Sequence, residues 1–218
     1  FQVGRQALAE LSEEAAKRCV HYTKDIPLFE AYGVEHELEK ALSRRVPLAS
    51  GGNLTIDENE AMCTVDVNTG SFVGTSNLAD TIHRTNLEAA KEIARQLRIR
   101  DIGGIIIIDF IDMDSSEHRK QLMSVLEEEL AKDKARTRIV HLSPLGLVEM
   151  TRKRTGQSLL QHLCRTCPVC EGRGRLLSAE TMAASLEREL RRRVRASKPE
   201  ALAVFTNIDA VSYTHLRA

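Results

Sequence analysis

Apolar residues recur along this chain at two spacings, one helical and one of period two. Leu8, Leu11 and Ala15 fall at helical spacing and predict a helix over residues 6–19, and Leu38 and Leu42 predict a second over 34–44. Pro47 and the Gly51-Gly52 pair mark 47–53 as a loop. Strands are expected at 53–57 and 61–68, joined by the polar turn 57–60. In the second of them Cys63, Val65 and Val67 alternate with Met62, Thr64, Asp66 and Asn68, so Asp66 and Asn68 share one face. Leu87, Ala90, Ile93, Ala94 and Leu97 form the stripe of a strong helix over 86–100, with Thr85 or Asn86 as its cap. Ile105, Ile106, Ile107 and Ile108 open a strand over 105–110 that reads as buried on both faces, with Asp109 near its C-terminal end. Ser115 or Ser116 caps the next helix, with Asp114 a rival, and Leu122, Val125, Leu126 and Leu130 point inward from it. Further on come a short strand at 138–142, a basic helix at 182–195 with a thin stripe of Leu186, Leu190 and Val194, and a strand at 201–205. Helix and strand alternate through the middle of the chain, which predicts an α/β sandwich with a mixed sheet.

Composition narrows this picture. The chain has 218 residues, 42% hydrophobic and 28% charged, with no net charge, which is ordinary for a globular protein. No apolar run approaches the roughly 20 residues of a membrane helix. The sequence opens at Phe1 inside an amphipathic pattern and without a signal peptide, and it reads as a fragment. Of its five cysteines, Cys164, Cys167 and Cys170 crowd together, while Cys19 and Cys63 read as core or helix-face residues. An odd count with such a cluster argues against a secreted disulfide framework and fits a reducing cytoplasm and a metal better. Charge is neutral overall but uneven. Arg152, Lys153, Arg154, Arg165, Arg173 and Arg175 face only Glu171 over residues 151–175, a strip that fits phosphate contacts or a solvated surface equally.

Two constellations can carry chemistry. Asp66 and Asp109 each end a strand, and two carboxylates at strand ends of one sheet can meet around magnesium, which takes one or two carboxylates and completes its shell with water and phosphate. Asn68, on the face of Asp66, could orient a water or a carboxylate. The plain alternative is two strand-end carboxylates satisfied by loop amides, with Asp112 and Asp114 nearby. Against it, Asp109 follows four isoleucines, and a carboxylate so near a dry core needs a partner. The second constellation is Cys167-Pro168-Val169-Cys170-Glu171-Gly172-Arg173-Gly174. Its Cys-x-x-Cys spacing lets two thiolates share one zinc, and its glycines allow the tight turn. A closed zinc site needs four ligands. The missing pair could come from a second copy of the chain, which predicts a homodimer; Cys164 and, more weakly, His162 are rival ligands, and a redox dithiol is the alternative. His83, His118 and His141 have no nucleophile at a recognisable spacing and read as structural.

Taken together, these runs resemble a known family. Val65-Asp66-Val67-Asn68-Thr69-Gly70, Thr85-Asn86-Leu87-Glu88-Ala89-Ala90, Ile108-Asp109-Phe110-Ile111-Asp112-Met113 and Cys167-Pro168-x-Cys170-x-Gly172-x-Gly174 occur in the order and at the gaps of the ribonuclease E/G family. Ile26-Pro27-Leu28-Phe29 and Gly146-Leu147-Val148-Glu149-Met150-Thr151-Arg152 add to the match, which covers about 22–178 and looks more like the shorter ribonuclease G branch. The resemblance implies a deoxyribonuclease I-like catalytic sandwich over 42–163, preceded at 1–41 by the end of a ribonuclease H-like subdomain. It implies a zinc-link at 164–177 and a partial small domain at 178–210, while 211–218 do not look like the family and read as a non-native tail. It makes Asp66 and Asp109 the magnesium ligands, Asn68 the assisting amide, and Cys167 and Cys170 one half of a zinc site shared between two protomers. The implied reaction is magnesium-dependent hydrolysis of single-stranded RNA to 5′-phosphate and 3′-hydroxyl ends, in ribosomal RNA maturation and messenger RNA decay in a bacterial or organellar cytoplasm. The family's S1-type domain and 5′-monophosphate sensor have no counterpart in these residues. Two competing expectations are a non-catalytic, zinc-linked RNA-binding scaffold and, from the implied fold alone, a deoxyribonuclease.

Overall fold

The structure is a computed structural model that describes residues 1–70, 78–143 and 146–197. The strand expected at 201–205 and the tail at 211–218 lie outside the described residues. The chain divides into two compact units, Phe1–Cys164 and Arg165–Ala218.

The first unit opens with α1 (Gln2–Leu11) and α2 (Glu13–Arg18). The single helix expected there is broken at Ser12. Its extended backbone ends α1, and its hydroxyl accepts the Ala15 N–H to cap α2. The short α3 (Leu28–Ala31) and α4 (Val34–Leu42) follow. Then come β1 (Arg45–Pro47), β2 (Asn53–Glu58), β3 (Met62–Asn68), α5 (Leu78–Ile99), β4 (Gly104–Asp109), α6 (Ser116–Leu130), β5 (Thr137–Leu142), β6 (Leu147–Arg152) and α7 (Leu159–Leu163). Six strands form one sheet in the order β1-β2-β3-β4-β6-β5. Only β3 and β4 run parallel; every other neighbouring pair is antiparallel. Parallel neighbours need a crossover, and α5 supplies it.

Period-two alternation sorts the sheet into two faces. Leu54, Ile56, Cys63, Val65, Val67, Ile106, Ile108, Val148 and Met150 are buried against Ala89, Ala90, Ile93, Ala94 and Leu97 of α5 and Leu122, Leu126 and Leu130 of α6. Each large aliphatic side chain placed there contributes on the order of 1.5–3 kcal/mol. The opposite face is bare among the described residues. Ile105 is 49% exposed there, and Asp66, Asp109 and Thr151 are exposed with it.

The mixed α/β architecture is as read from the sequence, and four further details differ. The isoleucine run is not buried on both faces, because α5 and α6 cover one side only. Arg45–Pro47, of which only Pro47 falls in the expected loop, is an edge strand, and 147–152 is a strand that periodicity does not predict. Helix α5 begins at Leu78, so Thr85 and Asn86 lie inside it, 2% and 0% exposed, rather than at its cap. Ser115 does cap α6, accepting the His118 N–H.

The second unit contains the cysteine turn and α8 (Ala179–Ser197), which spans the basic helix expected there.

Candidate active site

The parallel pairing of β3 and β4 sets Asp66 directly beside Asp109 in register. Thr55 on β2 and Leu147 on β6 extend that row across the bare face. Alternation dictates the orientation. Val65 and Val67 turn to the helices and send Asp66 outward; Ile108 and Phe110 do the same for Asp109. Asn68, one pleat on, donates from Nδ2 to Asp66 Oδ2 at 2.6 Å. Its cross-strand partner on β2 is Asn53.

The loops on either side are fixed. Asn86, inside α5, donates through Nδ2 to the Ile111 carbonyl at 2.7 Å and accepts the Ile111 N–H at 3.1 Å. This polar clamp from the helix layer holds the segment that links Asp109 to Asp112. On the other side the 51–53 and 68–70 backbones nearly touch. A Cβ on Gly52 would lie 2.6 Å from the Asn68 carbonyl oxygen, and one on Gly70 2.2 Å from that of Gly51. Gly70 also sits at φ 68, so no side chain can occupy it without moving this edge of the site. Glu88 anchors the same loop by accepting the N–H groups of Ala49 and Ser50.

Burial, then the charges of Asp66 and Asp112, push the Asp109 carboxyl above the usual carboxylate range. No lysine or arginine of the described residues is paired with Asp66 or Asp109 in an ion pair. Carboxylates that repel and lack a protein cation suit a bound divalent ion. Among the described residues no three His, Cys, Asp or Glu side chains converge to hold a metal. Two carboxylates with an adjoining amide could supply only part of an ion's shell, and water or substrate oxygens would have to complete it.

In the second unit the 167–174 segment folds as a tight turn. The Glu171 N–H bonds to the Cys167 carbonyl and the Arg173 N–H to that of Cys170. Glu171 (φ 51), Gly172 (φ 83) and Gly174 (φ 66) supply the left-handed backbone that the turn needs. The N–H groups of Cys170 and Val169, then the Cys170 thiol, hold the Cys167 thiol below its ordinary pKa. A turn that gathers N–H groups around a sulfur favours the thiolate, the form that binds zinc.

The basic strip divides on inspection. Arg152 cannot meet RNA, because it is 5% exposed on the helix-facing side. Its Nε donates to Asp133 Oδ2 and its Nη1 to Asp101 Oδ1, both at 2.8 Å. Lys153 and Arg154 remain exposed. His83 and His118 stack with ring centroids 4.0 Å apart between α5 and α6, and His141 lies 3.8 Å from Glu149, so none is free of structural company. The sequence offers Asn86 as a helix cap and in the family run, but not as a clamp on Ile111.

A mixed sheet whose two parallel strands set a pair of carboxylates side by side on its exposed face defines the class, an α/β protein with an acidic sheet-face site. The model of the "Ribonuclease E/G family" matches residues 1–155. Ribonuclease G of Salmonella typhimurium is 53% identical over 182 residues, 84% of this chain and 37% of that protein. Ribonuclease G of Escherichia coli K12 is 51% identical over the same coverage, and ribonuclease E of that strain is 40% identical over 86% of this chain and 18% of its own length. The chain belongs to the ribonuclease E/G family. It spans 37% of the length of the ribonuclease G relatives.

Proposed function

We propose that this chain carries the catalytic centre of a magnesium-dependent endoribonuclease that hydrolyses single-stranded RNA to 5′-phosphate and 3′-hydroxyl ends. The observation that carries the reading is the in-register Asp66 and Asp109 with Asn68 bonded to the first of them. Asp66 and Asp109 would hold the ion. When bound, magnesium supplies a water acidic enough to act as nucleophile and offsets charge on the phosphate. Asn68 fixes the rotamer of Asp66 by donating to one of its oxygens, and the Asn86 clamp on Ile111 fixes the far side. The bare sheet face gives an extended strand room to lie in line with the attacking water. Exposed Lys153 is available to the backbone.

The same reading takes residues 42–163 as a deoxyribonuclease I-like subdomain and 1–41 as the end of a ribonuclease H-like one. It takes 164–177 as the zinc-link, with Cys167 and Cys170 giving half of a zinc site shared in a homodimer, and 178–210 as part of a small domain. Ribosomal RNA maturation and messenger RNA decay in the cytoplasm are the processes it fits. The relatives' names, ribonuclease G and ribonuclease E, support RNA as the substrate.

The test is cleavage of a 5′-labelled single-stranded RNA, beside DNA of the same sequence, by the chain, its Asp109→Asn variant and a chelated control. Cutting of RNA that needs both Asp109 and magnesium is the expected result. Equal cutting by Asp109→Asn overturns the assignment, and a chain that binds RNA without cutting it is a scaffold.

A further inference from the structure

We infer that Asn53 is a positioning residue of this site, acting through Asn68; the inference rests on the catalytic reading above. Three observations converge on it. First, Asn53 Oδ1 is buried and has no hydrogen-bond donor, one of the few side-chain atoms among the described residues in that state. An acceptor oxygen shut off from water without a donor is costly to fold around, which marks this half-buried side chain as one with a use. Second, Asn53 and Asn68 are direct cross-strand partners on the bare face. Partner Cβ atoms lie roughly 4.5–5.5 Å apart, within reach of an amide–amide bond. Third, their backbones are locked together by the close approaches at Gly52 and Gly70, so the pair cannot drift apart.

An asparagine amide has two N–H donors and one acceptor oxygen. Asn68 spends one donor on Asp66 Oδ2. Asn53 Oδ1, on the cross-strand partner, takes no donor in the structure, and a turn of the Asn68 amide about its bond to Asp66 would bring the other N–H to it. With both donors turned inward, to Asp66 and to Asn53, Asn68 Oδ1 is left as an outward acceptor beside the carboxylate pair. It can then take a proton-bearing group such as the attacking water or a ribose hydroxyl. Asp66 fixes which end of the Asn68 amide is the donor. Without Asn53 the amide is held at one N–H alone and can swing about that bond, which carries its Oδ1 away from the carboxylate pair. Asn53 thus steadies the aim of Asn68 without touching the reacting atoms.

A double-mutant cycle tests this. Asn53→Leu keeps the branched skeleton and removes the acceptor. It is expected to lower kcat about tenfold with KM within about twofold, while in an Asn68→Ala background the same change alters kcat less than about twofold. An equal loss in both backgrounds, or no loss in either, overturns the inference. Melting temperatures of the four proteins separate misfolding from the effect sought. A second readout needs no catalysis: in the 15N-labelled chain the Asn68 side-chain amide protons should exchange with solvent faster in Asn53→Leu, with the backbone amides of β3 unchanged. If the parent chain cuts no RNA, the catalytic reading fails, and this exchange measurement alone decides whether Asn53 holds Asn68. Unchanged exchange of the Asn68 amide refutes the inference in either case.

Discussion

Replacing Arg152 by methionine separates a structural arginine from an RNA contact. Methionine keeps much of the aliphatic stem and removes the guanidinium. The loss falls mainly on Asp133, whose side chain is 5% exposed and which keeps only the Ala135 N–H. Asp101, at 33% exposed, retains the Thr155 hydroxyl and gains water, so it adds little. Removing one member of a buried pair costs about 3–5 kcal/mol, and with one well-buried carboxylate the lower end applies. At about 2–4 °C per kcal/mol for a chain of this size, about 3 kcal/mol lowers the melting temperature by roughly 6–12 °C. Adding Asp133→Leu should recover most of that, since an apolar replacement of a whole buried pair is close to neutral. The acid limb gives a further check. For Asp133, burial pushes the carboxyl up, but the Arg152 and Ala135 hydrogen bonds outweigh it and hold it below the usual range. For Asp101, the Thr155 hydroxyl and then Arg152 lower it. Their contribution is therefore complete above the ordinary carboxylate range and is lost as pH falls through the lower, folded values. The gap between parent and variant should narrow in acid. The assay is a thermal melt followed by circular dichroism, with RNA binding measured at low temperature. A variant that melts within about 2 °C of the parent, a double variant less stable than the single, or a folded variant that binds RNA more weakly would refute the reasoning.

Three other outcomes follow from the same geometry. Asn86→Leu strands the Ile111 N–H and carbonyl and should cost about 2–4 kcal/mol by urea denaturation while slowing cleavage; a cost under about 1 kcal/mol would show that the clamp is slack. In the metal-free chain, carboxyl NMR should find Asp109 titrating above the ordinary aspartate range, and Asp112→Asn should bring it down; a midpoint at or below the ordinary value contradicts the crowding described here. Chelation, or Cys170→Ser, should convert a zinc-bearing dimer to a monomer in analytical ultracentrifugation, and a parent holding one zinc per chain rather than one per two would exclude the shared site.

The parts of this fold that were legible in the sequence are those where periodicity acts alone. Cys63, Val65 and Val67 alternate cleanly, and the stripe on α5 is long, so β3, the C-terminal part of α5 and the face shared by Asp66 and Asn68 are read off directly. Tertiary context decided the rest. Four consecutive isoleucines carry no period, so the sequence could not show that Ile105 and Ile107 face outward while Ile106 and Ile108 face the helices. Arg45–Pro47 has strand structure only because β2 pairs with it. Asn86 carries a cap residue's chemistry and was read as a cap, yet its partner is the Ile111 backbone across the helix layer. Arg152 looked like one of a basic run, but on β6 it falls on the buried parity beside Val148 and Met150, and only the fold brings Asp101 and Asp133 to it.

That parity also explains why the acidic pair is secure. Sliding β4 by one residue would turn Asp109 into the helix layer and Ile108 into water, at the cost of a buried carboxylate and a lost core side chain. The register that sets Asp109 beside Asp66 is therefore enforced by the isoleucines, not by the aspartates, which repel. The repulsion is tolerated because Ile106 and Ile108, both 0% exposed, hold their strand in place from the other side. Neutralising Asp109 should thus leave the sheet intact, or tighten it, while removing the charge on which the proposed chemistry depends.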